Sequence, residues 1–137
     1  MAAAEAAAQK VPDGKSPPLV LGVTILTSMD SNAIAEVGYQ PNVGHQVERL
    51  AALAQRAGLR GLVCSALEVA ALRRILPAEF QLVTPGIRMD DSAPDDQKRT
   101  LTPREALAAG ANWLVIGRPI HAAPDPAAAA KAILASL

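Results

Sequence analysis

The stretch Leu114-Val115-Ile116-Gly117-Arg118-Pro119-Ile120 decides how the rest of the chain is read. Its first three residues are the kind of short apolar run that forms a buried strand. The run stops at Gly117-Arg118, and Pro119 follows. Glycine lets a backbone come close to a ligand, and arginine presents a planar fork of donors that suits phosphate. The corner is either an anion-binding strand end or a plain strand end carrying a solvated arginine. The elements upstream bear on which.

Three more strands precede it. Leu19 to Thr27 is apolar on both faces, as a parallel strand covered on two sides should be. Gly61 to Ser65 and Phe80 to Thr84 are shorter apolar runs, and Asn112 to Ile116 is the fourth strand. Helices fall between them. Residues 1–9 are mostly alanine and favour a helix, and Ala33 to Val37 reads as a short one after the caps Asp30-Ser31-Asn32. Val47, Leu50, Ala51, Leu53 and Ala54 recur at helical spacing, which predicts an amphipathic helix over His45–Ala57 closed by Gly58. Leu67–Ile75 and Pro126–Leu137 are further helices. Thr102-Pro103-Arg104-Glu105 carries an N-cap, a proline at the first helical position and a capping-box acid, with the helix running to Ala109. Ile87 to Leu101 is polar, without periodicity, and reads as a long loop.

Strand and helix thus alternate four times, which argues a parallel α/β sheet. Strand starts are spaced by roughly 20 to 40 residues, room enough for helical crossovers. A doubly wound sheet and a piece of a (β/α)8 barrel both satisfy this pattern. A whole barrel takes about 250 residues, so the 137 residues and four strands present are enough for half of one, if the barrel is the right alternative.

Composition narrows the function classes. Half the residues are apolar, with one each of Trp, Tyr and Phe, so the core is built from Ala, Leu, Val and Ile. Formal net charge is zero, which gives no global electrostatic case for nucleic acid or an anionic membrane. The single cysteine, Cys64, leaves no internal disulfide and no multi-cysteine metal site, and reads as a buried thiol. No run approaches the roughly 18 apolar residues of a membrane span. A secretory signal is not evident, so a soluble cytoplasmic protein is the expectation.

In parallel α/β folds ligands sit at the carboxyl ends of strands. Those ends collect Thr27-Ser28, Ser65, Thr84-Pro85-Gly86-Ile87-Arg88 and Gly117-Arg118, and the polar loop adds Asp96-Gln97-Lys98-Arg99. Hydroxyls, glycines and arginines converging on one rim form a set suited to a phosphate monoester. His45 and His121 have no spacing partner for a metal and read as surface or helix-end residues. Asp90, Asp91, Asp95 and Asp96 lack the ligand spacing of a calcium loop. No glycine-rich dinucleotide or P-loop fingerprint occurs.

Taken in order, Leu21-Gly22-Val23-Thr24-Ile25-Leu26-Thr27-Ser28-Met29, Gly61-Leu62-Val63-Cys64-Ser65-Ala66, Val83-Thr84-Pro85-Gly86-Ile87-Arg88, Asp96-Gln97-Lys98-Arg99 and Leu114–Ile120 resemble the C-terminal half of the orotidine 5′-phosphate decarboxylase family in its bacterial form. The resemblance spans essentially all of residues 1–137. It implies the last four strands of a TIM (β/α)8 barrel, usually a homodimer, that converts orotidine monophosphate to UMP and carbon dioxide in pyrimidine biosynthesis without a cofactor. It also implies that Thr27 touches the nucleotide near the pyrimidine, with Ser28 a weaker candidate beside it. Arg88 and Gln97 would belong to the loop that closes on the ligand, Gln97 reaching the phosphate. Gly117 and Arg118 would bind the phosphate directly.

The sequence departs from the family at its catalytic centre, an Asp and Lys array built on Asp-x-Lys-x-x-Asp. Asp13-Gly14-Lys15 imitates the first three positions, but Pro18 stands where the second Asp belongs. The expectation is a half-barrel that begins in the helix after the fourth barrel strand, grips phosphate, and contributes no catalytic residue. Completion by an N-terminal half, from a truncated gene product or an internally assigned start, is the first reading. A non-catalytic nucleotide-binding half-barrel that self-associates is the second, and a sugar-phosphate decarboxylase or aldolase of the same superfamily the third. The Leu26-Thr27-Ser28 and Thr84–Arg88 signatures favour the orotidine branch over the third.

Overall fold

The structure, a computed structural model, describes residues 1–88 and 100–137. Four parallel strands form one sheet in the sequential order β1 (Leu21–Val23), β2 (Gly61–Val63), β3 (Gln81–Thr84) and β4 (Trp113–Leu114). Each strand lies beside the one before it, with no reversal of order. That removes the doubly wound alternative, whose order reverses at a switch point, and matches one wall of a (β/α)8 barrel.

The helices are α1 (Ala2–Ala8), α2 (Ser31–Glu36), α3 (Val43–Arg56), α4 (Ala66–Ile75), α5 (Pro103–Ala108), α6 (Arg118–His121) and α7 (Pro126–Ala135). Their starts follow local chemistry. The side chain of Asp30 accepts from the Asn32 and Ala33 amides at the head of α2, and that of Asn42 accepts from the His45 amide at the head of α3. Asn42 therefore starts α3 at Val43, two residues before the expected His45. Ser65 and Thr102 each close a capping box, with Glu68 and Glu105 respectively.

Alternation along the strands separates two faces. Leu62 and Leu82 point into the helix layer, where they are fully buried with Val47, Ala51, Val69 and Leu72. The other face carries the cross-sheet row Val23, Val63, Val83 and Trp113. It is open: Val23 is 60% and Trp113 59% exposed, and Trp113 Nε1 donates to Gln81 Oε1 at 3.0 Å along the same face. The expectation that the first strand is covered on two sides thus fails at Val23. β1 is also far shorter than Leu19–Thr27, since pairing extends only over the three residues facing β2. Beyond Val23 the chain leaves the ladder and turns, with the Met29 amide donating to the Leu26 carbonyl at 2.9 Å.

Two arginines tie the amino ends of the strands together. Arg73, in α4, donates through Nε to the Gly110 carbonyl at 2.9 Å and through Nη1 to the Phe80 carbonyl at 2.7 Å. Its Nη2 reaches Asn112 Oδ1, which also accepts from the Leu82 amide at 2.8 Å. Arg60, just before β2, donates through Nε to Glu5 Oε1 at 3.2 Å, and Gln9 Nε2 donates to the same oxygen at 2.7 Å. That buried carboxylate docks the alanine-rich α1, which otherwise has little side chain to pack.

Candidate functional site

The carboxyl ends of the strands form one rim, and each expected binding residue among the described ones leaves that rim. After β1, Thr24 turns its hydroxyl onto the Val63 carbonyl at 2.9 Å, and Thr27 follows, 7% exposed. After β2, Cys64 and Ser65 are both buried, and Ser65 heads α4 while its own amide donates to Glu68 Oε2 at 2.9 Å. A cavity of about 150 Å3 gathers Thr27, Ser28, Cys64 and Pro85 with the apolar Val23 and Val63 beneath them.

β3 delivers the next corner. Thr84 is fully buried and its hydroxyl donates to the Trp113 carbonyl at 3.1 Å. Pro85 and Gly86 then turn the chain, and Gly86 has φ +74°, a left-handed conformation that favours glycine. Ile87, fully buried, bridges Leu101 in parallel, and the Arg88 amide donates to the Leu101 carbonyl at 3.1 Å. The two ends of the expected loop are therefore clipped together. Arg88 is half-buried at that neck, its Nη1 donating to the Ile87 carbonyl at 2.8 Å. Gln97, with Lys98 and Arg99, lies outside the described residues.

On the Leu101 side of the neck, Thr102 caps α5. Its amide and hydroxyl both donate to Glu105 Oε2, at 2.9 and 2.8 Å. The amide, and to a lesser degree the hydroxyl, holds the Glu105 carboxyl below its ordinary value.

β4 ends in a way the apolar run does not foretell. The ladder stops at Leu114, and Gly117 caps the four-residue α6, which Arg118 begins. A strand continuing through Ile116 was the expectation; Val115 still bonds the Thr84 carbonyl through its amide at 2.9 Å, but no ladder extends past it. Gly117 has φ −108° and ψ −84°, and a Cβ there would meet nothing closer than His121 Cδ2 at 3.9 Å. Packing therefore leaves room for a side chain at this exposed position. Arg118 is exposed beside it, at the end of the strand adjoining the one that delivers Arg88.

The structure thus brings Thr27, Ser28, Cys64 and Pro85 into one cavity and sets Arg88 and Arg118 at the ends of adjacent strands, outside that cavity's lining. Cys64 was read only as an inert core thiol, although the same strand-end rule that collected Ser65 applies to it. His45 and His121 are exposed on helices, as expected, and no group of three metal-ligating side chains occurs among the described residues. Among those residues no helix is long and apolar enough to cross a membrane.

Residues 1–133 match the family model described as orotidine 5′-phosphate decarboxylase / HUMPS family. The chain belongs to this family. It is 56% identical over 133 residues to orotidine 5′-phosphate decarboxylase of Laribacter hongkongensis, covering 97% of this chain and 54% of that protein. The protein of that name from Opitutus terrae is 60% identical over 119 residues, covering 87% of this chain and 52% of the relative. Among solved structures, the crystal structure of orotidine 5′-phosphate decarboxylase from Lactobacillus acidophilus superposes with a TM-score of 0.73 at 38% identity, over 90% of this chain and 51% of that one. The chain thus spans about half the length of the decarboxylases it matches, and its sheet is half of their barrel.

Proposed function

We propose that residues 1–137 form the phosphate-binding, C-terminal half-barrel of an orotidine 5′-phosphate decarboxylase, acting in the cytoplasm in pyrimidine biosynthesis. The observation that carries this reading is the shared rim: Thr27, Arg88 and Gly117-Arg118 all follow carboxyl ends of parallel strands in a chain of this family. Arg118 and the Gly117 backbone hold the phosphate of orotidine monophosphate or UMP. Arg88 and Gln97 approach it from the segment clipped at Ile87 and Leu101. Thr27 lies under the pyrimidine at the small cavity.

A hydrogen bond to a charged group contributes about 1.5–3 kcal/mol, so two or three of them hold a phosphate monoester. Binding energy from this remote group is available to the transition state as well as to the ground state. It does not replace a proton donor at the pyrimidine carbon, and this sequence has no Asp-x-Lys-x-x-Asp. Decarboxylation therefore depends on an amino-terminal half that carries the Asp and Lys array, and the completed barrels pair as a homodimer.

Titration of the chain with UMP tests the phosphate site. UMP is expected to bind more tightly than uridine, and Arg118→Ala is expected to weaken UMP about tenfold to a hundredfold, leaving uridine unchanged. Equal affinity of Arg118→Ala and the unaltered chain for UMP contradicts the assignment.

The open sheet face favours a second reading, a non-catalytic nucleotide-binding half-barrel closed by a second copy. Val23, Trp113 and Val115 are each more than half exposed on that face, and among the described residues β1 and β4 each lack a strand neighbour on one side. Sedimentation distinguishes it: a chain that stays monomeric and folded at high concentration excludes self-closure.

A further inference from the structure

Thr84 bonds the two strand ends that lead to the Arg88 and Gly117-Arg118 corners. Its side chain is fully buried on the helix side of the sheet, away from the rim's open face. Its hydroxyl donates to the Trp113 carbonyl at 3.1 Å, and its own carbonyl accepts from the Val115 amide at 2.9 Å. These bonds hold the carboxyl end of β4, whereas the Asn112 amide bond to the Leu82 carbonyl at 3.0 Å and the Trp113 Nε1 bond to Gln81 hold its amino end. Only two residue pairs, Val83 with Trp113 and Thr84 with Leu114, join it to β3, against three pairs for each of the other two strand contacts. Immediately beyond Thr84 the chain turns through Pro85 and Gly86 toward Arg88. Immediately beyond Val115 it runs to Gly117 and Arg118.

We infer that Thr84 is a positioning residue for the phosphate site: its hydroxyl pins the carboxyl end of β4 to that of β3 and so sets the spacing of the Gly117-Arg118 and Arg88 corners. The inference rests on the phosphate assignment proposed above and goes beyond it by naming what holds the corners in register. Valine matches threonine in shape but has no donor, so the Trp113 carbonyl loses its side-chain partner while the backbone bond from the Val115 amide remains. A serine keeps the donor.

Thr24 supplies an internal control. It is also buried and also donates its hydroxyl across the sheet, to the Val63 carbonyl at 2.9 Å. It joins β1 to β2, and neither strand leads to Arg88 or Arg118. A purely structural role for such hydroxyls makes the two valine variants alike. A positioning role separates them in one quantity, the ratio of UMP to uridine affinity, which isolates what the phosphate adds.

The test titrates the full 137-residue chain and its Thr84→Val, Thr84→Ser and Thr24→Val variants with UMP and with uridine. Thr84→Val is expected to lower the ratio about tenfold, the upper range for one lost hydrogen bond. Thr84→Ser is expected to stay within about twofold of the unaltered chain, and Thr24→Val to leave the ratio unchanged. If Thr84→Val does not fold, Thr84→Ala, which also lacks the donor, is expected to show the same loss. An unchanged ratio in the folded Thr84 variant overturns the inference while leaving the phosphate site standing. Equal losses in Thr84→Val and Thr24→Val overturn it too. An unaltered chain that gains nothing from the phosphate removes the site itself, and the inference with it.

Discussion

Glu105 shows how one side chain couples charge to local order. Its carboxylate accepts from both the amide and the hydroxyl of Thr102, next to the neck formed by Ile87, Arg88 and Leu101. Those donors favour the ionised form and hold the carboxyl below its ordinary value. The folded chain therefore binds fewer protons here than the unfolded chain in the acid range. The stabilisation is fully present above the unfolded carboxylate range and is lost as pH falls through the lowered folded value. Glu105→Gln keeps an acceptor but cannot titrate. The unaltered chain is expected to melt higher than Glu105→Gln at neutral pH, with the gap closing as pH drops below the carboxylate range. A gap that stays constant with pH contradicts the role. This capping box was legible from Thr102-Pro103-Arg104-Glu105 because its chemistry is local. Ser65-Ala66-Leu67-Glu68 has the same spacing and builds the same box, and it starts the helix at Ala66, one residue before the expected Leu67. The signal was present and had the same physical basis.

At the scale of elements, the order of strands and helices was readable and their ends were not. Apolar runs mark where a strand lies, but hydrogen-bonded pairing marks how long it is. β1 stops at Val23 because β2 stops opposite it at Val63. The cap α6 escaped notice for a related reason. Ile116-Gly117-Arg118-Pro119 carries an apolar residue, a glycine and a proline, which read equally as a strand end and as a helix entry. The clamp at Arg73 was invisible in sequence, since its acceptors come from two separate segments, one at Phe80 and one at Gly110 and Asn112. It joins α4 to the carbonyls of Phe80 and Gly110 and to the side chain of Asn112. Gly110 is fitted to it: φ there is +106°, and a Cβ would stand 3.1 Å from Arg73 Cγ. Arg73→Met keeps the stem and removes every donor, leaving partly buried acceptors unsatisfied. It is expected to lower unfolding stability in urea by about 1–3 kcal/mol. Because the clamp sits at the amino ends, UMP affinity of the folded variant is expected to stay unchanged. An unaltered urea midpoint contradicts the clamp.

For the molecule as a whole, the sequential parallel sheet, its open face and its family membership describe one half of a barrel. Alternation of strands and helices did not distinguish barrel from doubly wound sheet; the spatial order of the strands did. Thr27, Arg88, Gly117 and Arg118 were collected by a single rule, that parallel strands present ligand sites at their carboxyl ends, and all four leave that rim. What the rule does not reach is the open face, because exposure of Val23 and Trp113 depends on what lies against them. On the proposed reading, an amino-terminal half-barrel placed there would cover the row Val23, Val63, Val83 and Trp113 and carry an Asp and Lys array to the rim. Trp113, the single tryptophan, reports that docking directly by a blue-shifted emission.

The most direct measurement is decarboxylation of orotidine monophosphate, followed by loss of its ultraviolet absorbance, for the purified chain alone and mixed with a separately produced amino-terminal half of the Laribacter hongkongensis relative. No turnover by the chain alone and recovery of turnover in the mixture is the predicted result. Turnover by the chain alone at an enzyme-like rate, or silence in a mixture where Trp113 emission shows that the halves have docked, contradicts it.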